Sequence, residues 1–131
     1  MRLAALSTWE KFEPCGEYKV FGSNHNSFRK WRAGEILLVF IGQQGLARMR
    51  VDGEVFNSNE MIWNNDLYEW RVPIGGITKF EGEIGEKANK EIKSLLLREY
   101  GRYYGFLIRN HTELKIEVSD KIEALLKKKG Q

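Results

Sequence analysis

Six consecutive apolar residues, Ile36–Ile41, constrain the possible folds of this chain more than any other feature. A run of this length fits a β-strand, and its lack of polar alternation predicts a strand that is buried on both faces. The next four residues, Gly-Gln-Gln-Gly at 42–45, predict a hairpin connection. The returning strand is predicted over residues 46–56, with a bulge or tight bend at Asp52 and Gly53. The fold must therefore place other elements against both faces of the strand Ile36–Ile41.

Further strands are predicted around the hairpin, and helices are predicted late in the chain. Alternating or apolar segments predict strands at residues 3–6, 18–21, 68–74 and 77–84. Apolar residues at helical spacing predict a helix over residues 86–100, and Gly101 is suited to end it. A last helix is predicted over residues 120–129, with Ser119 as its cap.

Three shorter segments carry local signals. Residues 13–16, Glu-Pro-Cys-Gly, predict a turn, and Ser27 is predicted to cap a short helical turn that continues to Trp31. Residues 102–109 fit either a short helix or a strand. Because strands and helices do not alternate regularly, a doubly wound parallel sheet is disfavoured. The order predicts an α+β fold, in which a strongly curved mixed β-sheet or partial barrel is flanked by helices.

The length of 131 residues fits one hydrophobic core, and we expect a single domain over residues 1–131. Such a domain is also of a suitable size to be the N-terminal module of a longer chain. A content of 42% hydrophobic and 30% charged residues is typical of a soluble globular protein. No apolar run approaches the roughly 20 residues of a membrane-spanning helix. Because Cys15 is the single cysteine, no internal disulfide can form, and the cytoplasm is the expected compartment.

Positive charge is concentrated in the last third of the chain. Residues 1–85 carry 10 basic and 11 acidic groups, whereas residues 86–131 carry 11 basic and 7 acidic groups. A basic face can attract phosphate, and the expected partner is DNA or RNA, with no membrane. The three lysines at 127–129 also fit a simple solvated tail.

Sequence motifs of common enzymes are not evident. The chain has no phosphate-binding loop, no Gly-x-Gly-x-x-Gly run and no Cys or His pair at metal-ligand spacing, so we expect no cofactor and no metal. The alternative is that Cys15 forms a nucleophilic catalytic pair with His25 or with His111. A lone cysteine and two histidines are more often structural, and the chain is therefore interpreted as a binding domain rather than an enzyme.

Aromatic residues within polar segments are the most informative feature for function. Trp63 lies in a loop that is rich in asparagine and acidic residues. A tryptophan in such a loop either closes over the core or forms one wall of a pocket for a planar ligand, because aromatic faces stack on bases. The same aromatic face would also attract a methylated or cationic ring, which would strengthen the binding of that ring.

A second polar segment follows an aromatic residue at 21–26, Phe-Gly-Ser-Asn-His-Asn. Gly22 lets the backbone approach a ligand closely, and Ser23 and Asn24 can recognise donors and acceptors on a base edge. The cations that follow, Arg29, Lys30 and Arg32, are predicted to hold flanking phosphates. The alternative is an ordinary loop that caps the following turn.

These segments resemble the EVE domains of the PUA-like superfamily, which are related to YTH domains. The similarity lies in Phe-Gly-Ser-Asn at 21–24, in the basic turn and strand at 28–40, and in Tyr-Glu-Trp-Arg-Val-Pro-Ile at 68–74. Phe21 stands where many members have Trp, and Glu35 replaces the usual Asp. The resemblance implies a PUA-like pseudo-barrel, with helices at its side, that binds nucleic acid. In YTH relatives an aromatic cage holds a methylated adenine.

Carried over to this sequence, the resemblance implies that Phe21, Gly22, Ser23 and Asn24 line a pocket. Trp63 matches no fixed family position and is added from its own surroundings. The leading hypothesis is a domain that accepts an unpaired or flipped base of DNA or RNA, carrying a methyl group. It is compatible with the specificity module of a modification-dependent restriction system. A small nucleotide- or RNA-acting enzyme would instead place Cys15, His25 or His111 beside the aromatics, and a protein-interaction domain would show an exposed apolar patch.

Overall fold

The computed structural model describes residues 1–23, 30–63 and 67–130. Within these ranges the strands come mostly first and the long helices last. In chain order the elements are β1 (Arg2–Leu6), α1 (Trp9–Tyr18), β2 (Val20–Ser23), β3 (Ile36–Ile41), β4 (Gly45–Val51), β5 (Phe56–Asn57), β6 (Trp70–Phe80), α2 (Gly82–Tyr100), α3 (Gly105–Arg109) and α4 (Ile116–Lys129). The α+β class predicted from the sequence is confirmed.

The strands form one mixed, strongly curled sheet with the order β1-β3-β4-β6-β2, and the short β5 pairs with β6 outside this path. β1 runs parallel to β3, so that Arg2 lies opposite Leu37 and Leu6 opposite Ile41. The other described pairings are antiparallel. The two ends of the sheet are therefore β1, near the start of the chain, and β2, the next strand along the sequence.

Both faces of the sheet are covered, as the uninterrupted apolar run of β3 predicts. One face buries Leu37, Val39 and Ile41 of β3 together with Ala4 of β1 and Phe21 of β2. Because strands from both ends of the sheet contribute to this cluster, it fills the concave side of the curl. The opposite face packs against α2, α3 and α4, through residues that include Leu38, Phe40, Ile92, Leu107 and Ile122.

The turn predicted at residues 13–16 is wrong, because these residues lie inside α1. Thr8 begins this helix, and its hydroxyl oxygen accepts a hydrogen bond from the Lys11 backbone amide at 3.3 Å. Phe12 and Cys15 then bury one side of the helix in the concave core. This burial outweighs the backbone hydrogen bond that Pro14 cannot donate within a helix.

Several of the predicted strand boundaries are wrong, and the strand predicted at 18–21 is β2, which starts at Val20 because Tyr18 ends α1. The segment predicted as one strand over 46–56 is divided into β4 and β5, with the predicted bend at Gly53 between them, and β4 has a further irregularity between Arg48 and Arg50. The strands predicted at 68–74 and 77–84 are one strand, β6, which continues through Gly75 and Gly76. The glycines do not end the strand because β4 pairs with β6 on both sides of them.

The helices start earlier than their patterns predict. α2 begins at Gly82 rather than at residue 86, and α4 begins at Ile116, which places Ser119 inside the helix instead of at its cap. The ambiguous residues 102–109 contain the short helix α3. The cap predicted at Ser27 lies outside the described residues. Among the described residues, no helix combines the length and apolar character that a membrane crossing requires.

Candidate functional site

A cavity of about 230 Å³ lies where the two ends of the curled sheet approach each other. The described residues that line it come from β1, β2, the segment before β6, α3 and the second residue after α3: Ala4, Ala5, Leu6, Phe21, Gly22, Ser23, Tyr68, Ile108, Arg109 and His111. Pockets for whole drug-sized ligands usually measure roughly 300–1,000 Å³. The smaller volume here suits one planar ring system rather than an entire nucleotide.

The β1 wall offers backbone groups to this cavity. The Leu3 carbonyl points away from β3, toward His111, whose Nδ1 lies 2.8 Å from it. Residues two apart in a strand direct their backbone groups to the same side. The N–H and C=O of Ala5 therefore point to the cavity side of β1, where they provide one donor and one acceptor.

The β2 wall carries three of the residues predicted for the pocket. Phe21, Gly22 and Ser23 line the cavity together, with Phe21 buried and Ser23 half-buried. The pairing of Phe21 with Val72 and of Gly22 with Arg71 fixes the position of this strand on β6. Asn24, predicted to act beside them, lies outside the described residues.

Trp63 lies behind the cavity and not among the described residues that line it. Its ring is buried, packs edge-on against Tyr68 with 5.0 Å between ring centroids, and donates its indole N–H to the Cys15 sulfur at 3.4 Å. A methyl group added at Gly22 would sit 2.5 Å from Trp63 Cη2 and 2.8 Å from Tyr68 Cβ. Gly22 therefore lets the Trp63–Tyr68 pair pack directly on β2, and Tyr68 is the second aromatic residue of the cavity wall.

Arg71 holds the segment that carries Trp63 and Tyr68. Its guanidinium is buried, donates from Nε to the Tyr68 carbonyl at 3.0 Å, and donates from Nη1 to the Ser58 hydroxyl at 3.2 Å. Nη2 donates to the Glu60 carbonyl. The same guanidinium lies 5.0 Å from the Trp63 ring centroid, within cation–π range. One side chain of β6 thus ties both ends of residues 58–68 to the sheet.

His111 forms the wall opposite β2. It follows α3 in a left-handed backbone conformation with φ 49°, and its ring contacts the backbone of β1. A carbonyl can only accept, so the contact with Leu3 requires the proton on Nδ1. Behind the imidazole lies Trp31, with 5.5 Å between the two rings. Trp31 and Trp63 therefore support the cavity from opposite sides.

The predicted phosphate-binding residues are partly described. Lys30 and Arg32 are exposed and flank the buried Trp31, which places them near the His111 wall. Arg29 lies outside the described residues. Arg109, which the sequence did not single out, lines the cavity itself. Of the three terminal lysines, Lys129 lies against α2 and pairs with Glu91 at 3.1 Å, away from the cavity lining.

Cys15 is buried behind Trp63, and burial raises the pKa of its thiol from an ordinary value of 9.0 to about 11. The folded protein therefore favours the neutral thiol, a poor nucleophile at neutral pH. Of the residues that an enzyme would place beside the aromatics, His111 lines the cavity, Cys15 lies behind its wall, and His25 lies outside the described residues. Among the described residues, no three His, Cys, Asp or Glu side chains cluster as metal ligands.

We expect the thiol of Cys15 to resist a thiol-specific disulfide reagent at pH 8 and to react at once when denaturant is added. Because the folded protein favours the neutral thiol, the contribution of Cys15 to the free energy of unfolding is complete below about pH 9. This contribution is lost as the pH rises through about 11. Release of the coloured thiolate from the reagent measures the reaction. Stoichiometric labelling of the native protein within minutes at pH 8 would contradict the burial.

The curled mixed sheet, closed by helices and with a cavity between its two ends, defines an α+β domain with a YTH-like, PUA-like fold. The chain is similar in structure to the Pho92 YTH domain, whose crystal structure was determined in complex with m6A. The TM-score is 0.56 at 15% sequence identity, over 96% of this chain and 82% of that chain. No protein-family profile and no curated protein matches the sequence. The similarity confirms the PUA-like fold, whereas the closer resemblance to EVE domains stays a prediction.

Sequence reasoning missed Tyr68 and Arg109 as cavity residues, and it named His111 only within the small-enzyme alternative. Tyr68 was assigned to a strand by its alternation, and its ring points to the cavity because Arg71 fixes the backbone before β6. Arg109 and His111 are more than 80 positions from β2 along the chain, and only the packing of α3 against β1 brings them there. The one available signal was that residues 100–112 combine four aromatic residues with two arginines and no acid.

Proposed function

We propose that this chain recognises a single methylated base of a nucleic acid, which enters the cavity between β1 and β2. The observation that supports this most directly is the lining itself: two aromatic side chains, a hydroxyl, an imidazole and a strand edge surround a space of about 230 Å³. The similarity in fold to a YTH domain in complex with m6A supports a methylated adenine as the first ligand to test.

Phe21 and Tyr68 supply the stacking surfaces in this proposal. A base stacked on an aromatic side chain gains about 1–3 kcal/mol. That gain helps to offset the few kcal/mol needed to take a base out of its stack. Trp63 acts through Tyr68 and Gly22 by fixing the wall, so it is a positioning residue here rather than the stacking partner predicted from the sequence.

The polar groups of the wall give the site its selectivity. In this proposal the backbone of Ala5, the hydroxyl of Ser23 and the His111 imidazole, whose Nδ1 is bonded to the Leu3 carbonyl, contact the edge of a ring held between the aromatics. An amine that carries one methyl group keeps one N–H to donate, for which the Ala5 carbonyl is a suitable acceptor. Asn24 is proposed to contribute to the same edge, as the resemblance implies.

Exposed cations around the cavity are proposed to hold the phosphates beside the bound base. Arg109 lies at the cavity, and Lys30 and Arg32 lie near its His111 wall, with Arg29 proposed to act beside them. Phosphate contacts fix the position of a strand without reading its sequence. Affinity should therefore fall steeply as the salt concentration rises.

The test is the affinity of the protein for a short single-stranded RNA with one N6-methyladenosine, compared with the same RNA without the methyl group, by fluorescence anisotropy at low salt. We expect preference for the methylated strand, and we expect Tyr68→Leu to weaken binding by about 10- to 100-fold. Tyr18→Leu is the matched control, because Tyr18 is 53% exposed on α1 and lies outside the cavity.

Equal affinity for both strands, or no binding to either at low salt, would reject recognition of methylated adenine. A DNA strand with N6-methyladenine and one with 5-methylcytosine extend the test to the DNA ligands that a restriction specificity module would bind. Mass spectrometry of the oligonucleotide after incubation separates binding from an enzymatic role. A changed mass would favour the small-enzyme hypothesis and give His111 a chemical function.

A further inference from the structure

Two large aromatic residues are exposed on the segment that carries α3. The side chain of Tyr103 is 71% exposed and that of Phe106 is 39% exposed. The next residue, Leu107, is buried against the helices and anchors the segment to the rest of the domain. The exposed rings are therefore held on a fixed element and are not part of its core.

The two rings are neighbours on one side of this segment. The Phe106 amide donates to the Tyr103 carbonyl at 3.2 Å, so a helical turn already includes Tyr103. Residues three apart on such a turn lie next to each other, with about 5–6 Å between their Cβ atoms. Arg109 follows at the same spacing. Tyr103, Phe106 and Arg109 form a ridge, which we call the α3 ridge.

The α3 ridge ends at the cavity. Arg109 and Ile108, the last two residues of α3, line the cavity beside β1 and His111. A strand that places one base in the cavity would therefore find the guanidinium of Arg109 next to it, followed by the rings of Phe106 and Tyr103.

The charge around the ridge favours a polyanion. The residues from 100 to 112 include Arg102 and Arg109 and no acidic residue. The Arg102 guanidinium lies 4.8 Å from the Tyr103 ring centroid and donates to the Tyr103 hydroxyl at 2.8 Å. The nearest acid before this segment, Glu99, is neutralised by Lys121 at 2.8 Å. Aromatic rings combined with arginines, without acids, are the surface that single-stranded nucleic acids stack on.

We infer that the α3 ridge, together with Arg102, binds the unpaired nucleotides that flank the base held in the cavity. Phe106 and Tyr103 stack on successive bases, and Arg102 and Arg109 contact the phosphates between them. This inference rests on the proposed function for the position of the strand. It adds a sequence-tolerant surface to a site that selects one modified base.

Two ligands separate the ridge from the cavity. Free N6-methyladenosine, titrated by NMR, reports on the cavity alone. A nine-nucleotide single-stranded RNA with one N6-methyladenosine, titrated by fluorescence anisotropy, reports on the cavity and the ridge together. The ridge variant is Tyr103→Ala with Phe106→Ala. The matched control is Ile84→Ala with Ile116→Ala, which also truncates two exposed apolar side chains, 53% and 76% exposed, on α2 and α4.

We expect the ridge variant to bind the RNA about tenfold more weakly or worse and to bind the free nucleoside as the wild type does. The control should match the wild type for both ligands, and Tyr103→Phe should keep RNA affinity because it keeps the ring. Equal RNA affinity of the ridge variant and the control would overturn the inference and leave the exposed rings to a protein partner.

The two proposals can fail separately. If the ridge variant binds the RNA more weakly than the control but the wild type does not bind the nucleoside, the cavity proposal fails, while stacking of unpaired nucleotides on the ridge stands without a base in the cavity. If the nucleoside binds and the RNA binds no more tightly than the nucleoside, the cavity proposal stands and the ridge inference is overturned.

Discussion

Replacing Arg71 with methionine is expected to lower the free energy of unfolding by about 3 kcal/mol and to abolish ligand binding in the cavity. Methionine fills part of the volume but donates no hydrogen bonds, so the carbonyls of Tyr68 and Glu60 lose this donor and the Ser58 hydroxyl keeps only the Glu60 amide. The three hydrogen bonds are part-buried, and a fully buried polar group left without a partner costs about 1–3 kcal/mol. Tyr68 then loses its fixed position, and the cavity loses one aromatic wall.

Urea denaturation of the wild type and the variant, followed by tryptophan fluorescence, measures this loss. Arg50→Met is the matched control, because Arg50 is 55% exposed and pairs at 2.6 Å with an exposed acid, Asp52. We expect it to cost less than about 1 kcal/mol, as exposed ion pairs generally do. If Arg71→Met were as stable as Arg50→Met, Arg71 would not be the anchor of residues 58–68.

Replacing Gly22 with alanine is expected to destabilise the protein by about 2 kcal/mol, because an added methyl group has no space between β2 and the Trp63–Tyr68 pair. Its Cβ would lie 2.5 Å from Trp63 Cη2 and 2.8 Å from Tyr68 Cβ, which requires both rings to move. The movement changes the wall that the proposed ligand contacts, so affinity for the methylated RNA should fall as well.

Gly16→Ala provides the matched control for this substitution. Gly16 lies in α1, and an added methyl group would meet Phe12 at an ordinary 3.9 Å. Alanine is the better helix former, so this variant should be as stable as the wild type or up to about 1 kcal/mol more stable. Combining Gly22→Ala with Trp63→Phe makes room at the contact, and part of the lost stability should return. No recovery in that double variant would place the strain elsewhere than at Trp63.

The sequence predicts the parts of this fold that depend on local pattern. The buried strand Ile36–Ile41 has the predicted limits because an apolar run of that length leaves no alternative placement. The predicted hairpin after this strand is also correct, because Gly42 and Gly45 frame the turn. The errors fall where tertiary contacts override a local signal. α1 forms across Pro14 because Phe12 and Cys15 are buried, and β6 continues through Gly75 because β4 pairs with it on both sides.

The candidate site was predictable only in its contiguous part. Phe21, Gly22 and Ser23 share one strand, so a correct assignment of that strand brings them together. Trp63 is close to them, yet its neighbour Tyr68 takes the cavity position, because the contacts of Arg71 decide which ring faces inward. His111 and Arg109 depend on the closure of β1 against α3. No spacing in the sequence encodes that closure.

The segment after α2 also covers the outer edge of β1, one end strand of the sheet. An uncovered edge strand can pair with another chain and start aggregation. On β1, the Leu3 carbonyl is occupied by His111, and the Met1 carbonyl accepts from the Leu114 amide at 2.9 Å. His111, which lines the cavity, and Leu114 thus also cover the edge of the sheet. A proteolytic cut between α2 and α4 would disrupt the cavity wall and the cover of the β1 edge together. We therefore expect such a cut to promote self-association and to weaken ligand binding.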